Sequence, residues 1–229
     1  MGSLKVLMIT TSHSELGNTG HQTGVWLEEL AAPYYIFKDA GAEITIASPK
    51  GGQVPLDPKS EDASSETEMS KRFSNDREAL LQLAKSVKIE DVKAKDFDAA
   101  FLPGGHGPMW DLSDNYELRL LLEDFYNAQK PIGSVCHGVA GLIPLRDKDG
   151  HAIVKGKNLT SFSNTEEELV GLTKVVPFLL ETELKNLGAN YSKKEDFAPF
   201  MIKDGLLITG QNPASSEITA KELLNTINK

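Results

Sequence analysis

Residues 130–144, KPIGSVCHGVAGLIP, decide the fold because they read as a buried strand that turns sharply into a helix. The apolar run Ile132–Val135 suits a strand that is buried on both faces of a sheet. The corner falls at residues 136–138, and the small residues over 139–143 predict a helix directly after it. In open α/β folds such a corner lies at the carboxyl edge of the sheet, where ligands bind.

Cys136 stands at this corner and is the only cysteine of the chain. The corner places its sulfur near backbone N–H groups and the positive end of a helix dipole. We therefore expect the pKa of the thiol to be lowered and the thiol to be partly ionised near neutral pH. A free cysteine at the end of a core strand can also be purely structural. The adjacent His137 and the space left by Gly138, Ala140 and Gly141 favour a nucleophile.

Composition and charge limit the possible classes of protein. A chain of 229 residues with 40% hydrophobic residues is long enough for one domain, which we expect to span residues 1–229. The net charge of −9 argues against nucleic acid and anionic membranes as partners, and no apolar run is long enough to cross a membrane. A single cysteine excludes an internal disulfide and a zinc–thiolate cage. The chain opens directly into a strand without a signal peptide, so we expect a cytoplasmic protein.

Strands and helices alternate along the chain, which predicts an α/β fold with a mostly parallel sheet sandwiched between helices. Residues 200–203 and 206–209 add a small β-hairpin across Asp204-Gly205. Residues 61–70 read as solvated surface, and the helix over 75–86 is expected to turn Leu80, Leu81 and Leu83 inward. The other predicted strands cover 4–10, 43–48, 99–102 and 159–162, and the other predicted helices cover 23–40, 112–128, 176–187 and a last one that starts within 211–216.

Glu29 is an anomaly in the helix predicted over residues 23–40. At about 100° per residue it falls in the middle of the apolar side, whereas Glu28 and Tyr35 fall on the polar side. A buried ionised carboxylate costs several kcal/mol unless it finds a partner or takes up a proton. The alternative is a side chain that reaches solvent from the helix start. Because this helix follows the first strand, we expect Glu29 to overhang the sheet edge at Cys136, where a protonated carboxyl bonded to a thiolate would act as a proton shuttle.

A glycine-rich stretch, Gly104-Gly105-His106-Gly107, follows the strand predicted over 99–102. Its backbone N–H groups, together with that of His137, predict an oxyanion hole; a simple tight turn is the alternative. The stretch does not match the GxGxxG pattern of dinucleotide sites, so we expect no nucleotide cofactor.

His137 needs a carboxylate that fixes its tautomer, although its ring is expected to point in a different direction from the neighbouring thiol. The nearest acidic group is the run of three glutamates at 166–168. The residues alone do not choose among the three, and at least two are expected to face solvent. His13, His21 and His106 are candidates to line the same mouth, but without cysteine partners or i,i+4 spacing they predict no metal site.

Five motifs together resemble the ThiJ/PfpI superfamily, and within it the glyoxalase III branch, which includes heat-shock chaperones. They are TGVWLEELAAP at 23–33, PKGGQVPLDP at 49–58, FLPGGHGPMWD at 101–111, VCHG at 135–138 and TGQNPAS at 209–215. The resemblance implies a flavodoxin-like fold and a homodimer. The longer bacterial chaperones of this group have additional N-terminal structure and a metal site. This chain lacks that length, so no metal or other cofactor is expected.

The resemblance also implies site residues and an activity. It assigns the nucleophile to Cys136, its histidine to His137, the acid/base carboxylate to Glu29 and the third triad member to Glu167, five residues after Phe162. Gly105 and the His137 backbone match the family's oxyanion donors. The implied reaction is the glutathione-independent conversion of a small aldehyde, methylglyoxal or glyoxal, with methylglyoxal giving D-lactate through a cysteine hemithioacetal and an enediol. The alternatives are a stress chaperone or redox sensor, and a cysteine hydrolase.

Overall fold

The computed structural model describes residues 2–227, whose centre is a seven-stranded sheet with helices on both faces. The strands run in the order β3-β2-β1-β4-β5-β9-β8, and all pairs are parallel except the edge pair β8–β9. The strands are β1 Lys5–Ile9, β2 Glu43–Ser48, β3 Val87–Lys88, β4 Ala99–Leu102, β5 Ile132–Val135, β6 Asn158–Leu159, β7 Asn190–Tyr191, β8 Met201–Asp204 and β9 Leu207–Gly210. The separate pair β6–β7 forms a second, two-stranded sheet.

Two hydrophobic clusters cover the faces of the large sheet because successive side chains of a strand point to opposite sides. Leu7 and Ile9 of β1 belong to one cluster, and Val6 and Met8 belong to the other. Helices α5 and α7 contribute to the first cluster, and helices α1, α2, α3 and α8 contribute to the second. The helices are α1 Leu27–Asp39, α2 Glu68–Ser74, α3 Arg77–Ala84, α4 Pro108–Asp111, α5 Tyr116–Asn127, α6 Asn164–Leu169, α7 Leu180–Asn186 and α8 Ser216–Ile227.

The predicted α/β fold is confirmed, and β8 and β9 form the predicted hairpin at one edge of the sheet. No helix within residues 2–227 combines the length and apolar character needed to cross a membrane.

Several local predictions are wrong. In α3, Leu83 is buried but Leu80 and Leu81 are 41% and 53% exposed, because this two-turn helix packs on the protein along one narrow side. Helix α2 was not predicted. It begins at a capping box formed by Thr67 and Ser70, and it covers Tyr35, which is therefore buried although it was placed on the polar side of α1.

The chain after β5 does not form the predicted α-helix. Residues Cys136–Leu142 form a 3₁₀ helix instead, and all seven are buried. Gly138 permits this close packing, because a Cβ added there would lie 2.3 Å from the Leu102 carbonyl oxygen of β4. The corner therefore packs directly against the carboxyl end of the neighbouring strand.

Candidate active site

Cys136 follows β5 directly and has a φ of +60°. This left-handed conformation is uncommon outside glycine and costs about 1–2 kcal/mol, so the surrounding structure must hold it in place. It turns the chain sharply at the carboxyl edge of the sheet, as predicted from the sequence. The residue is 3% exposed, so its sulfur is largely covered by protein.

The His137 ring lies between the thiol and a carboxylate. Its Nδ1 is 3.3 Å from the Cys136 Sγ, and its Nε2 is 2.6 Å from the Glu167 Oε2. The expectation that this ring points in a different direction from the thiol is therefore wrong. The left-handed turn at Cys136 brings the ring of the next residue back against the sulfur.

Glu167 stands in the first turn of α6 and binds two imidazoles. Its Oε2 binds the His137 ring, and its Oε1 lies 2.7 Å from the His106 Nε2. The centroids of the His106 and His137 rings are 4.0 Å apart. Burial opposes ionisation of Glu167, but the two histidines outweigh burial and lower the pKa of this carboxyl well below its usual range. Burial and the neighbouring His106 lower the pKa of His137. At neutral pH this group therefore holds a carboxylate and a neutral His137.

The Glu29 carboxyl is completely buried at the same sheet edge, as the helical register predicted. Its Oε2 accepts a hydrogen bond of 2.5 Å from the Gly104 N–H, whereas its Oε1 has no well-aligned partner within the described residues. The Cys136 thiol interacts with this carboxyl. Burial raises the pKa of Glu29 to about 8, so the group is mainly protonated at neutral pH.

The expected lowering of the Cys136 pKa is wrong. Burial raises the pKa of the thiol well above its usual value, and the nearby Glu29 raises it further. The hydrogen bond from the backbone N–H of His137 lowers the pKa of the thiol, but burial and Glu29 raise it by more. The helix that follows is a short 3₁₀ segment, which offers less dipole than the predicted α-helix.

The predicted oxyanion donors divide into two groups. Gly104 is not a free donor, because its N–H is bonded to Glu29; a Cβ there would also lie 2.6 Å from the Glu29 Oε2. The Gly105 N–H binds no backbone carbonyl within residues 2–227, and the His137 N–H is directed at the sulfur. Gly105 and His137 therefore remain the predicted donors, and His106 binds Glu167 through its side chain.

Of the three consecutive glutamates, only Glu168 is exposed, so the expectation of two solvent-facing residues is wrong. Glu166 is fully buried and accepts hydrogen bonds from the backbone N–H groups of Ser163 and Phe197 and from the side-chain amides of Gln211 and Asn212. The spacing of Ser163 and Glu166, a capping-box pattern, is the sequence signal that indicates this arrangement.

Of the three histidines expected to line one mouth, two line the same pocket and the third lies elsewhere. His13 stacks on Trp110, while His21 lines a pocket together with His106. The side chains of His106, His137 and Glu167 form a group with ligand atoms within 4.8 Å of one another, which is close enough to hold a metal ion. In this structure those atoms are paired with each other by hydrogen bonds.

A pocket of about 340 Å³ lies beside this group and has mainly apolar walls. His106 is the member of the reactive group that lines it. The walls come from three loops and from the residue before α1, and they include Leu16, His21, Trp26, Pro58, Val170 and Leu172.

A cysteine on a left-handed corner at the carboxyl edge of a parallel sheet, with a histidine and a glutamate behind it, defines a cysteine-dependent protein of the α/β class. A family model described as the DJ-1/PfpI family matches residues 22–226. The chain belongs to the DJ-1/PfpI family, and the resemblance seen in the motifs is confirmed.

Three relatives illustrate the similarity. The Rapid Encystment Protein 24 KDa of Francisella tularensis superposes with a TM-score of 0.94 at 40% sequence identity, covering 98% of this chain and 99% of that protein. Glyoxalase III of Candida albicans superposes with a TM-score of 0.91 at 29% identity, covering 98% of each chain. The glutathione-independent glyoxalase hsp3101 of Schizosaccharomyces pombe is 30% identical over 95% of this chain and 93% of its own length.

Proposed function

We propose that this protein is a glutathione-independent glyoxalase that converts methylglyoxal to D-lactate and also accepts glyoxal. The observation that carries the proposal is the buried, protonated Glu29 beside the Cys136 thiol, with the neutral His137 on the other side of the sulfur. Relatives that cover nearly the whole chain are named as glyoxalases of this kind, which supports the same activity.

The first step is addition of the thiol to the aldehyde. Cys136 loses its proton to the base form of Glu29, and the sulfur forms a bond with the aldehyde carbon C1. The carbonyl oxygen takes up a proton, which gives a hemithioacetal. We assign the stabilisation of negative charge on that oxygen to the backbone N–H of Gly105 and to that of His137, which the sulfur and the oxygen would share.

The second step moves hydrogen between the two carbons. The Glu29 carboxylate removes the proton from C1, which gives an enediol, and then returns a proton to C2. The product is a thioester of lactate on Cys136, and water hydrolyses it to D-lactate and the free thiol. The raised pKa of Glu29, about 8, makes this carboxylate a stronger base than an exposed glutamate.

Two substitutions test the mechanism. Cys136→Ser should abolish D-lactate formation from methylglyoxal without glutathione, and Glu29→Gln should reduce kcat by about 10²–10⁴-fold. Glu28→Gln is the matched control, because Glu28 is the adjacent residue but binds Thr67 instead of the site. Unchanged turnover in both site variants would rule out the mechanism. Suppression of client aggregation that persists in Cys136→Ala, without D-lactate formation, would favour a chaperone.

We further propose a cytoplasmic homodimer. The lone cysteine and the acidic charge of −9 suit the cytoplasm, and the family resemblance supports the dimer. Sedimentation equilibrium measures the assembly directly: a dimer has twice the 25.0 kDa of one chain, and a species of 25.0 kDa would contradict the proposal.

A further inference from the structure

We propose that His106 is a second catalytic base, which moves a proton between the two substrate oxygens while Glu29 moves hydrogen between the two carbons. The inference rests on the proposed glyoxalase reaction. It assigns a chemical task to the side chain of a residue that sequence analysis placed in the oxyanion stretch and in the lining of the site.

The shared carboxylate fixes the tautomer of His106. Glu167 is ionised, because its pKa is well below the usual range, and an ionised carboxylate can only accept hydrogen bonds. The nitrogen 2.7 Å from its Oε1, His106 Nε2, must therefore carry a hydrogen. In a neutral imidazole the other nitrogen, Nδ1, then holds a free lone pair.

The same argument applies to His137, whose Nε2 donates to the other oxygen of Glu167. One carboxylate thus presents two imidazoles, each with its Nδ1 directed away from it. The Nδ1 of His137 lies 3.3 Å from the sulfur. The Nδ1 of His106 forms no hydrogen bond within residues 2–227, and His106 lines the pocket of about 340 Å³.

The reaction needs a base at that position. Between the hemithioacetal and the thioester, C1 loses a hydrogen and C2 gains one, while the oxygen on C1 loses a proton and the oxygen on C2 gains one. Glu29 moves the hydrogen between the two carbons, so it does not also move the proton between the two oxygens in the same step. The His137 Nδ1 faces the sulfur instead of the oxygens. A base on the pocket side that first accepts and then donates one proton completes the exchange without any added oxidant or reductant. His106 is that base.

The decisive variant is His106→Gln, because its amide can still donate to Glu167 but its oxygen is not a useful base. We expect kcat for methylglyoxal to fall by about 10²-fold or more, with KM nearly unchanged. The rate at which iodoacetamide alkylates Cys136 should stay within about twofold of the wild-type rate, because the His137–Glu167 pair remains in place. His151→Gln, at an exposed histidine that pairs with Asp147, is the control and should behave as wild type.

A second variant separates chemistry from positioning. In His106→Ala, added imidazole should restore a measurable part of kcat, and the restored rate should depend on the pKa of the imidazole derivative used. A His106→Gln protein with kcat within about threefold of wild type would overturn the inference while leaving the glyoxalase proposal intact. Equal losses in kcat and in the alkylation rate of Cys136, without rescue by imidazole, would show that His106 is a positioning residue and would overturn the inference. Absence of D-lactate formation by the wild type would overturn both proposals.

Discussion

Cys136 and Glu29 share one buried site. The Glu29 carboxylate makes ionisation of the Cys136 thiol more difficult, whereas the hydrogen bond from the thiol makes ionisation of Glu29 easier. Burial raises the pKa of both groups, and their mutual interaction couples the two titrations, so the pair loses its first proton as a unit. After that loss, one proton remains between a sulfur and a carboxyl oxygen. We expect this singly deprotonated pair to be the form that attacks the aldehyde in the proposed reaction.

This coupling predicts the pH dependence of the reaction. Because burial raises the pKa of Glu29 to about 8, kcat/KM for methylglyoxal should rise with pH up to about 8 and then level off. Below that value the rate should fall about tenfold per pH unit, since the fully protonated pair is inactive. Initial rates of D-lactate formation between pH 5 and 9.5 test this. A plateau that already extends to pH 6 would contradict the raised pKa.

Glu166 allows a test of a buried carboxylate beside an exposed one. The two carboxylate oxygens of Glu166 accept four hydrogen bonds, and Glu166→Gln replaces one of these oxygens by an NH₂ donor. We expect this variant to lower the free energy of unfolding by about 3 kcal/mol. Glu168→Gln should change it by less than about 0.5 kcal/mol because that side chain is exposed. Urea unfolding of both variants gives the comparison. Similar free energies for the two would show that the Glu166 network contributes little.

Single residues were predicted well where geometry alone decides their position. The helical register was sufficient to place Glu29 in the interior, and the strand-to-helix corner was sufficient to place Cys136 at the sheet edge. The pKa of Cys136 was predicted in the wrong direction, because it depends on how completely the surrounding chain excludes water. That burial arises from contacts between segments far apart in the sequence, so a local sequence pattern does not predict it.

At the scale of elements, the loop over residues 103–107 joins three parts of the site. Gly104 binds Glu29, its carbonyl accepts the Trp26 N–H, and the side chain of His106 binds Glu167. The next glycine, Gly105, has a φ of +91°, and a Cβ there would lie 2.1 Å from the Gly24 carbonyl oxygen. The loop and the segment before α1 are therefore in direct backbone contact.

Gly105→Ala should disrupt this contact. We expect a loss of at least about 3 kcal/mol in the free energy of unfolding, because a methyl group must displace backbone atoms. Gly20→Ala is the matched control: its φ is also positive, at +76°, but nothing lies within 4 Å of the added carbon. That variant should lose only about 1 kcal/mol from backbone strain. Denaturant unfolding distinguishes the two, and equal losses would mean that the close approach is unimportant.

Helix α3 gives a second test at this scale. Leu83→Ala should lower the free energy of unfolding by about 2–4 kcal/mol because it leaves a cavity in the core. Leu81→Ala should change it by less than about 0.5 kcal/mol, since that side chain is 53% exposed. Thermal and urea unfolding would measure both. A loss at Leu81→Ala as large as that at Leu83→Ala would support the inward orientation of Leu81 that was predicted from the sequence.

Elements were predicted best where their apolar residues form one continuous run. Strands β2, β4 and β5 have the predicted bounds, and α5 lies within the predicted helix and buries Leu118, Leu121, Leu122 and Phe125. Helices α2 and α3 are short and polar. Their orientation depends on packing against α1 and β2 more than on their own periodicity, which is why the first was missed and the second was rotated.

For the whole molecule, strand order links the two halves of the sequence. Strand β1 lies between β2 and β4, and β9, near the end of the chain, pairs with β5. Helix α8 then packs on α1 across the same face. Strand β1 and helix α8, the first strand and the last helix of the described residues, therefore contribute to one hydrophobic cluster, and a single domain over 1–229 remains the prediction.

This arrangement predicts a single cooperative unfolding transition. Far-ultraviolet circular dichroism follows the whole fold, and the fluorescence of Trp26 and Trp110 follows the segment before α1 and helix α4. The two signals should give the same midpoint in urea, because the seven-stranded sheet takes its strands from both halves of the chain. Midpoints that differ between the probes would show that the chain unfolds in separable parts.

The pocket beside His106 has walls drawn from loops, whereas the cysteine, its histidine and both carboxylates are attached to strand ends and helix starts. Apart from His106, which stands on the loop over 103–107, the pocket walls and the proposed reactive groups therefore come from different parts of the fold. Residues such as Leu16, Pro58 and Leu172 can change during evolution or by design without disturbing the sheet edge. Related chains can thus come to accept aldehydes of different size while they keep one chemical step in common.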